Sequence, residues 1–360
     1  MDIDFADLLM EVVHRRASDL HLASGAHPTV RVRGKLSPLE EYPKLSPTDT
    51  REIVYSILNG DQRQRLETNW QIDFAYSIPG HARFRVNAYY QRGAIGAAFR
   101  LIPFGLTSID ELGLPSTVHE FTRKPRGFVL VTGPTGSGKS TSLAAMIDEI
   151  NSTREEHIMT IEDPIEFLHG HKKCIVNQRE LGSDAQSFSA ALTAALRQDP
   201  DVILVGEMRD LETISTALTA AETGHLVFAT LHTQDAAQTI DRVIDVFPSH
   251  QQGQVRVQLS VALQGIMTQQ LLPSSDGSGR VVACEVLVPT PAIRNLIREG
   301  KTHQIYSVLQ TGSAVGMQTM DAALATLVRA GKITQKLAES RSSTPDELRR
   351  LMGAPSLAAA

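Results

Sequence analysis

The chain has 360 residues, enough for two ordinary domains rather than one core, and its 42% hydrophobic and 21% charged residues are those of a globular protein. A net charge of −5 argues against a nucleic-acid binder, whose domains are strongly basic. Cys174 and Cys284 form no close pair, which speaks against a disulfide framework or a cysteine-ligated zinc and for a reducing cytoplasm; no apolar run is long enough for a bilayer, and the acidic start is unlike a signal peptide.

Residues 4–16 carry Phe5, Leu8, Leu9, Val12 and Val13 at helical spacing and predict an amphipathic helix. Asp19–Ser24, Thr29–Leu36, Asp73–Ile78, Ala82–Gln91 and Ala94–Ile102 predict strands, in which Arg31 with Arg33, and Arg83 with Arg85, alternate with apolar residues and so share a face. Ser46-Pro47 caps and opens a helix toward Leu58. Residues 1–102 therefore predict a small α+β domain built from hairpins.

Residues 103–126, with Pro103, Pro115 and Pro125 and little regular period, predict the connection between domains. Beyond it, short apolar runs at Gly127–Thr132, His157–Glu162, Asp201–Val205 and Leu226–Leu231 alternate with helical stretches at 139–151, 186–198 and 212–222. That alternation predicts an α/β domain with a mostly parallel sheet covered on both faces. From about residue 249 the pattern is mainly helical, interrupted by a strand over Arg280–Val288, and 353–360 read as a frayed tail.

Gly133-Pro134-Thr135-Gly136-Ser137-Gly138-Lys139-Ser140 fits G-x-x-x-x-G-K-[ST] at every fixed position, with Thr141 next as a further nucleotide contact. Glycines let successive main-chain N–H groups turn inward onto phosphate oxygens, and the helix opening near Lys139 adds its positive end. Lys139 would reach the outer phosphates of ATP, and Ser140 would offer its hydroxyl to Mg²⁺. A glycine-rich turn could match by accident, but such a match lacks the strand before it and the helix after it.

A phosphate loop needs a carboxylate on a second strand for the metal. Val202-Ile-Leu-Val205 runs into Gly206-Glu207, which makes Glu207 the candidate; the plainer alternative is a charged loop of Glu207, Arg209 and Asp210. Hydrolysis also needs a base to orient water, and Thr160-Ile-Glu-Asp-Pro-Ile-Glu166 offers Glu162, Asp163 and Glu166, among which spacing does not choose. His225 and His232 bracket the run Leu226–Leu231. Such a histidine could sense a γ-phosphate, could be a core residue satisfied by main chain, or could join His169 and His171 on a metal, although no pair has helical ligand spacing beside a third ligand. Arg83, Arg85 and Arg100 could act as arginine fingers on a neighbouring subunit, or could simply cover their own sheet. Pro291 opens a short helix with Ile293, Leu296 and Ile297 on one face. Arg294, Arg298 and Lys301 lie on the other, which is read as a contact for a partner or a moving domain.

Gly133–Ser140, Thr160–Glu166, Asp201–Asp210 and Thr223–Thr233 resemble, in that order, the Walker A, Asp box, Walker B and His box of the secretion-type hexameric ATPases within the RecA-like group. Ser18-Asp-Leu-His-Leu22, Arg83-Phe-Arg-Val-Asn87, the stretch Ala292–Lys301 and Gly316-Met-Gln-Thr-Met-Asp321 are similar to segments of the pilus-retraction, or twitching-motility, members of that family, so the resemblance runs nearly end to end. It implies a PAS-like domain over 1–102 and a RecA-like motor domain over 127–352, assembled as a homohexamer that hydrolyses ATP with Mg²⁺. It implies Glu166 as catalytic base, Glu207 as the acid on the Mg²⁺ side, and His225 and His232 as couplers of nucleotide to the neighbouring domain. Arg92 stands one place from the arginine of many relatives, which favours Arg83, Arg85 and Arg100 as fingers. Pilus-extension and type II secretion relatives usually add an N-terminal domain and a four-cysteine zinc site; this chain begins almost at the PAS-like domain and has no cysteine pair, which favours retraction. The expected setting is the cytoplasm, at the inner face of the membrane through a pilus platform protein, without membrane insertion or nucleic acid. An extension or secretion motor, and a nucleotide-dependent switch with little turnover, are the alternatives.

Overall fold

The computed structural model describes residues 4–78, 81–102 and 105–353; no helix among them is long and apolar enough to cross a membrane. The chain divides into two units, Met1–Gly105 and Leu106–Ala360.

In the first unit, β1 (Asp19–Leu22), β2 (Thr29–Val32), β3 (Lys35–Pro38), β4 (Gln71–Ile78), β5 (Ala82–Gln91) and β6 (Ala94–Ile102) form an antiparallel sheet in the order β3-β2-β1-β6-β5-β4. Along β5, buried Phe84, Val86 and Ala88 alternate with Arg83, Arg85 and Asn87, so one face joins the core and the other carries the charge. The β5–β6 hairpin closes at Arg92-Gly93, both left-handed (φ 49° and 77°), as a two-residue turn of this hand requires. The same device at Arg33-Gly34 splits the single strand expected over 29–36 into β2 and β3. Arg33 therefore sits in a turn and not beside Arg31 on a strand face. A helix over Gly60–Asn69 was not expected: only Leu66 is buried, so it shows no apolar period, and an Asn59–Gln62 capping box starts it.

In the second unit, β7 (Gly127–Thr132), β8 (His157–Glu162), β9 (Ile175–Glu180), β10 (Val202–Val205), β11 (Leu226–Leu231), β12 (Leu263–Pro273) and β13 (Arg280–Leu287) form a sheet in the order β13-β12-β7-β11-β10-β8-β9. Every neighbouring pair is parallel except β12–β13. The fold is thus an α+β unit followed by a mostly parallel α/β unit. β7, β10 and β11 are buried along their whole length, because helices cover both faces.

Two strands, β9 and β12, escape the sequence reading, and β12 replaces helix expected after residue 249. It is buried on both faces yet contains Gln264, Gln269, Gln270 and Gly265, so it neither alternates nor reads as continuously apolar. Gly265 has a packing reason: a Cβ there would lie 2.3 Å from the Phe121 ring. Phe121 belongs to the helix Thr117–Thr122, and Ile109, Leu114, Val118 and Phe121 are buried in the second unit's core. The stretch expected as a connection is therefore structural from residue 106 onward; its prolines hid the short helix. Pro103 and residues 354–360 of the expected tail lie outside the described residues.

Candidate active site

Parallel strands bring their C-terminal ends to one edge of the sheet, where loops can gather chemistry from several strands. The loop after β7 is the glycine-rich segment. Gly133 sits at φ 137°, and a Cβ there would lie 2.3 Å from the Gln269 carbonyl oxygen, so only glycine fits. Gly136 and Gly138 are also left-handed, and Gly138 directly precedes the helix Lys139–Thr153. Gln269 on β12 donates from Nε2 to the Ser137 carbonyl at 2.7 Å, a buried tie that holds the loop to the sheet. Sequence reasoning had no signal for Gln269, because β12 itself was unforeseen.

Lys139 Nζ donates to the carbonyls of Gly133 (2.8 Å) and Pro134 (3.1 Å), so the ammonium lies inside the curl of the loop. Burial lowers its proton affinity, and the carboxylates of Glu207 and Glu166 oppose that shift. Ser140, on the first turn of the helix, is exposed, with Thr141 beside it half-buried.

The geometry sorts the three carboxylates at and beyond the end of β8. Glu162 is held in the sheet, accepting from Thr160 Oγ1 at 2.6 Å and Gln178 Nε2 at 3.2 Å, and burial pushes its pKa up to about 7. Asp163 is exposed and acts on Arg209. Glu166 is half-buried and shares the field of Lys139. Beyond β10, Glu207 accepts from Arg209 Nη2 at 2.6 Å and from His232 Nε2 at 2.9 Å. Arg209 first, and then His232, hold its carboxyl below the usual range against burial. Asp210 does not join this group: it caps the helix Leu211–Thr223, accepting from the Thr213 N–H at 2.8 Å.

The two histidines separate. β11 lies in register with β7 so that Leu231 is beside Thr132 and Leu226 beside Gly127. His232 is therefore level with the first residue of the glycine loop. His225 is at the opposite edge, about 20 Å away along a six-residue strand, with Nδ1 3.0 Å from the Ala220 carbonyl. Of the two histidines read as couplers of nucleotide to the neighbouring domain, the structure brings only His232 to the glycine-loop edge of its own chain: periodicity shows that they bracket a strand, and only the direction of the sheet shows which end carries the loop. His171 Nδ1 accepts from the Val176 N–H at 3.0 Å, and no cluster of three metal-ligating side chains occurs among the described residues.

Beside the loop lies a cavity of about 460 Å³ lined by Leu112, Leu114, Gly138, Thr141, Leu271 and Arg280, among others. Leucine and valine walls, with Arg280, Glu111 and Gln269 as polar groups among them and a phosphate cradle alongside, suit a flat heteroaromatic base and its sugar. Leu112 and Leu114 were hidden in the proline-rich stretch taken for a connection.

The candidate fingers lie in the other unit. Arg31, Asp19, Arg100 and Arg85 face one another in register across β2, β1, β6 and β5, and Arg83 is two places along on the same face. Arg100 Nε pairs with Asp19 at 2.9 Å and Arg83 Nη1 donates to Ser77 Oγ at 2.9 Å; Arg85, exposed like Arg100, has no ion pair among the described residues. In the helix Pro291–Glu299, Arg298 is exposed, but Arg294 is not free for a partner. Half-buried, it donates to the carbonyls of Ser260 and Val261 at the end of the helix Ser249–Ala262, the latter at 2.9 Å. The expectation that the basic side lacks a structural use is thus overturned for Arg294, because a long side chain reaches carbonyls that a helix end leaves unpaired.

Residues 104–338 match the type II/IV secretion system protein family. The chain is 52% identical over 344 residues to the type IV pilus retraction ATPase PilT of Pseudomonas aeruginosa, covering 96% of this chain and 99% of that protein. It is 52% identical over 321 residues to a twitching motility protein of Neisseria gonorrhoeae, covering 89% and 86%. A crystal structure of the pilus retraction motor PilT with bound ADP superposes with a TM-score of 0.91 at 52% identity, covering 97% of this chain and all of that one (100%).

Proposed function

This chain belongs to the type II/IV secretion system protein family, and from that premise we propose that it is an ATP-hydrolysing motor that retracts type IV pili. The observation that carries the reading is the meeting of Lys139, Glu166 and Glu207 at one sheet edge, around a loop whose curl only glycine at Gly133 permits.

In this reading the main-chain N–H groups of 133–140 and the Lys139 ammonium hold the phosphates, while the adjoining cavity takes the adenine and ribose. Glu166 orients the attacking water and accepts its proton. The Ser140 hydroxyl and the charged Glu207 carboxylate are hard oxygen donors that fit Mg²⁺, directly or through water. When bound, Mg²⁺ supplies charge neutralisation across the outer phosphates. His232, tied to Glu207, would pass the state of the γ-phosphate to the rest of the chain, a role that its contact with Glu207 supports. Because the candidate fingers lie in a separate unit, we assign them to a neighbouring subunit's nucleotide in a homohexameric ring, with Arg85 the most available. The ring would work in the cytoplasm, docked on a membrane-embedded pilus platform protein. Identity of 52% over nearly the whole of PilT favours retraction over extension.

Steady-state hydrolysis by the purified chain, combined with electron microscopy of cells lacking the gene, tests the reading. Turnover in vitro and excess fibres on the mutant cells are expected. Absent turnover would reduce the chain to a nucleotide switch, and missing fibres would make it an extension motor.

A further inference from the structure

Behind the glycine loop lies a group of buried hydroxyls that phosphate chemistry leaves unused. Thr132, the last residue of β7, is fully buried, and its Oγ1 is 2.8 Å from Oγ1 of Thr268 on β12, its partner in register. Thr239 Oγ1, also fully buried, approaches Thr132 Oγ1 at 3.5 Å. Thr239 lies in the helix Ala236–Asp245 and donates to the Asp235 carbonyl at 2.7 Å, a bond internal to that helix. Its oxygen then remains to accept, and Thr233 Oγ1 lies 2.6 Å away. Thr233 is outside the helix and directly follows His232. The helix start is fixed a second time: Glu285 on β13, opposite Thr268, accepts from the Ala236 N–H at 2.8 Å.

A back-bond to Asp235 explains a threonine in a helix. It does not explain why that threonine meets the segment carrying His232 on one side and the strand entering the phosphate loop on the other. Buried hydroxyls need partners, and a short chain of them admits few arrangements, so it fixes the spacing of the groups that it joins. We propose that Thr239 is a positioning residue for ATP hydrolysis: through Thr233 and Thr132 it holds His232, and with it Glu207, at a set distance from the phosphate loop. The proposal rests on the ATPase reading above. Thr239 itself touches no nucleotide, so binding should survive its loss while turnover falls.

The test compares Thr239→Val, which keeps the shape and removes the hydroxyl, with Thr239→Ser, which keeps the hydroxyl. For each full-length variant, kcat and KM for ATP are measured beside titration with a fluorescent ADP analogue. The loss of one such bond should lower kcat about tenfold in Thr239→Val, with ADP affinity within about twofold of wild type. Thr239→Ser should recover most of the loss. Wild-type kcat in Thr239→Val, or an equal fall in both variants, overturns the proposal, the second outcome showing that the methyl packing matters and not the hydroxyl. Should Thr239→Val lose ADP binding through misfolding, Thr233→Val at the half-buried end of the same bond decides: a fall in kcat at unchanged ADP affinity supports the role, and wild-type kcat removes it. Absence of turnover in the wild type would instead strike the ATPase reading.

Discussion

His232 Nε2 meets Glu207 Oε1 at 2.9 Å, joining the loop after β11 to the loop after β10 at the edge where the phosphate loop begins. Arg209 shares the same carboxylate at 2.6 Å, so Glu207 is held charged by two groups from different loops. A carboxylate so placed can neutralise a metal on one side and register the movement of two loops on the other. Among the described residues Glu166 has no such tie to a basic side chain and is left with the field of Lys139. The two acids are therefore separable by experiment.

Glu166→Gln should bind Mg-ATP as tightly as wild type and hydrolyse it at least about a hundredfold more slowly, since an amide cannot take a proton from water. Glu207→Gln should also raise the Mg²⁺ concentration needed for half-maximal turnover. Single-turnover rates beside nucleotide titrations distinguish them. Ordinary turnover by Glu166→Gln would transfer the base role to Glu162 or Asp163.

Lys139→Ala should abolish hydrolysis without unfolding the chain. Among the described residues its hydrogen bonds go to two loop carbonyls, and in the proposed reading its charge serves phosphate. Turnover should drop by about a hundredfold or more, with the melting temperature moved by less than about 3 °C. A large fall in melting temperature would show that the ammonium is a structural post of the loop.

The phosphate loop, its strand and its helix were legible because glycine, lysine and serine at fixed spacing have a chemical reason that survives without tertiary context. The place of Glu207, just past the end of β10, was legible from the apolar run Val202–Val205 before it. What could not be read is what long-range pairing supplies. Gln269 reaches the loop from β12, 132 positions away in the chain, and Phe121 fills the space that Gly265 leaves. The histidines show the limit most plainly: His225 and His232 are alike in flanking apolar residues, and only the direction of the parallel sheet shows which of them lies at the glycine-loop edge.

Arg85→Ala should reduce ring-dependent hydrolysis more than Arg100→Ala. Arg100, though also exposed, is already paired with Asp19, while Arg85, opposite it in register, has no ion pair among the described residues. Mixing Arg85→Ala subunits with Lys139→Ala subunits should restore part of the activity, because intact arginine and intact lysine meet at some interfaces. Native mass spectrometry would verify mixed rings, and verified rings without rescue would refute a finger supplied in trans.

His119 should give the motor unit a pH-dependent component of stability. Its Nδ1 lies 2.9 Å from Glu149, on the phosphate-loop helix, and its Nε2 lies 3.2 Å from Asp110. The Glu149 hydrogen bond chiefly, and then Asp110, raise its pKa above 6.5 against the opposing effect of burial. A raised folded-state pKa stabilises fully below about 6.5, and the contribution is lost as pH climbs through the raised value. The melting-temperature difference between wild type and His119→Gln should thus be widest near about pH 6 and narrow toward about pH 9. A difference that grows with pH would contradict the ion pair.

Arg294 and Arg298 should fail in different ways, although they are one turn apart on a helix. Arg294 is half-buried and donates to the last carbonyls of the helix Ser249–Ala262, groups that have no partner within their own helix. Removing it strands those acceptors, so Arg294→Ala should cost about 2 kcal/mol of stability. Hydrolysis would fall with it only as far as the fold loosens. Arg298 is exposed, and its contact in the structure, to Asn295 Oδ1 at 3.3 Å, stays within its own helix. Arg298→Ala should leave both melting temperature and ATP turnover near wild type. If the exposed guanidinium meets a partner or a neighbouring subunit during the stroke, twitching of cells that carry this variant should nevertheless drop sharply. Thermal melts, steady-state hydrolysis and surface motility, measured on both single variants, separate the two roles. Normal motility with Arg298→Ala would withdraw the coupling function from this helix and leave Arg294 as a structural cap alone.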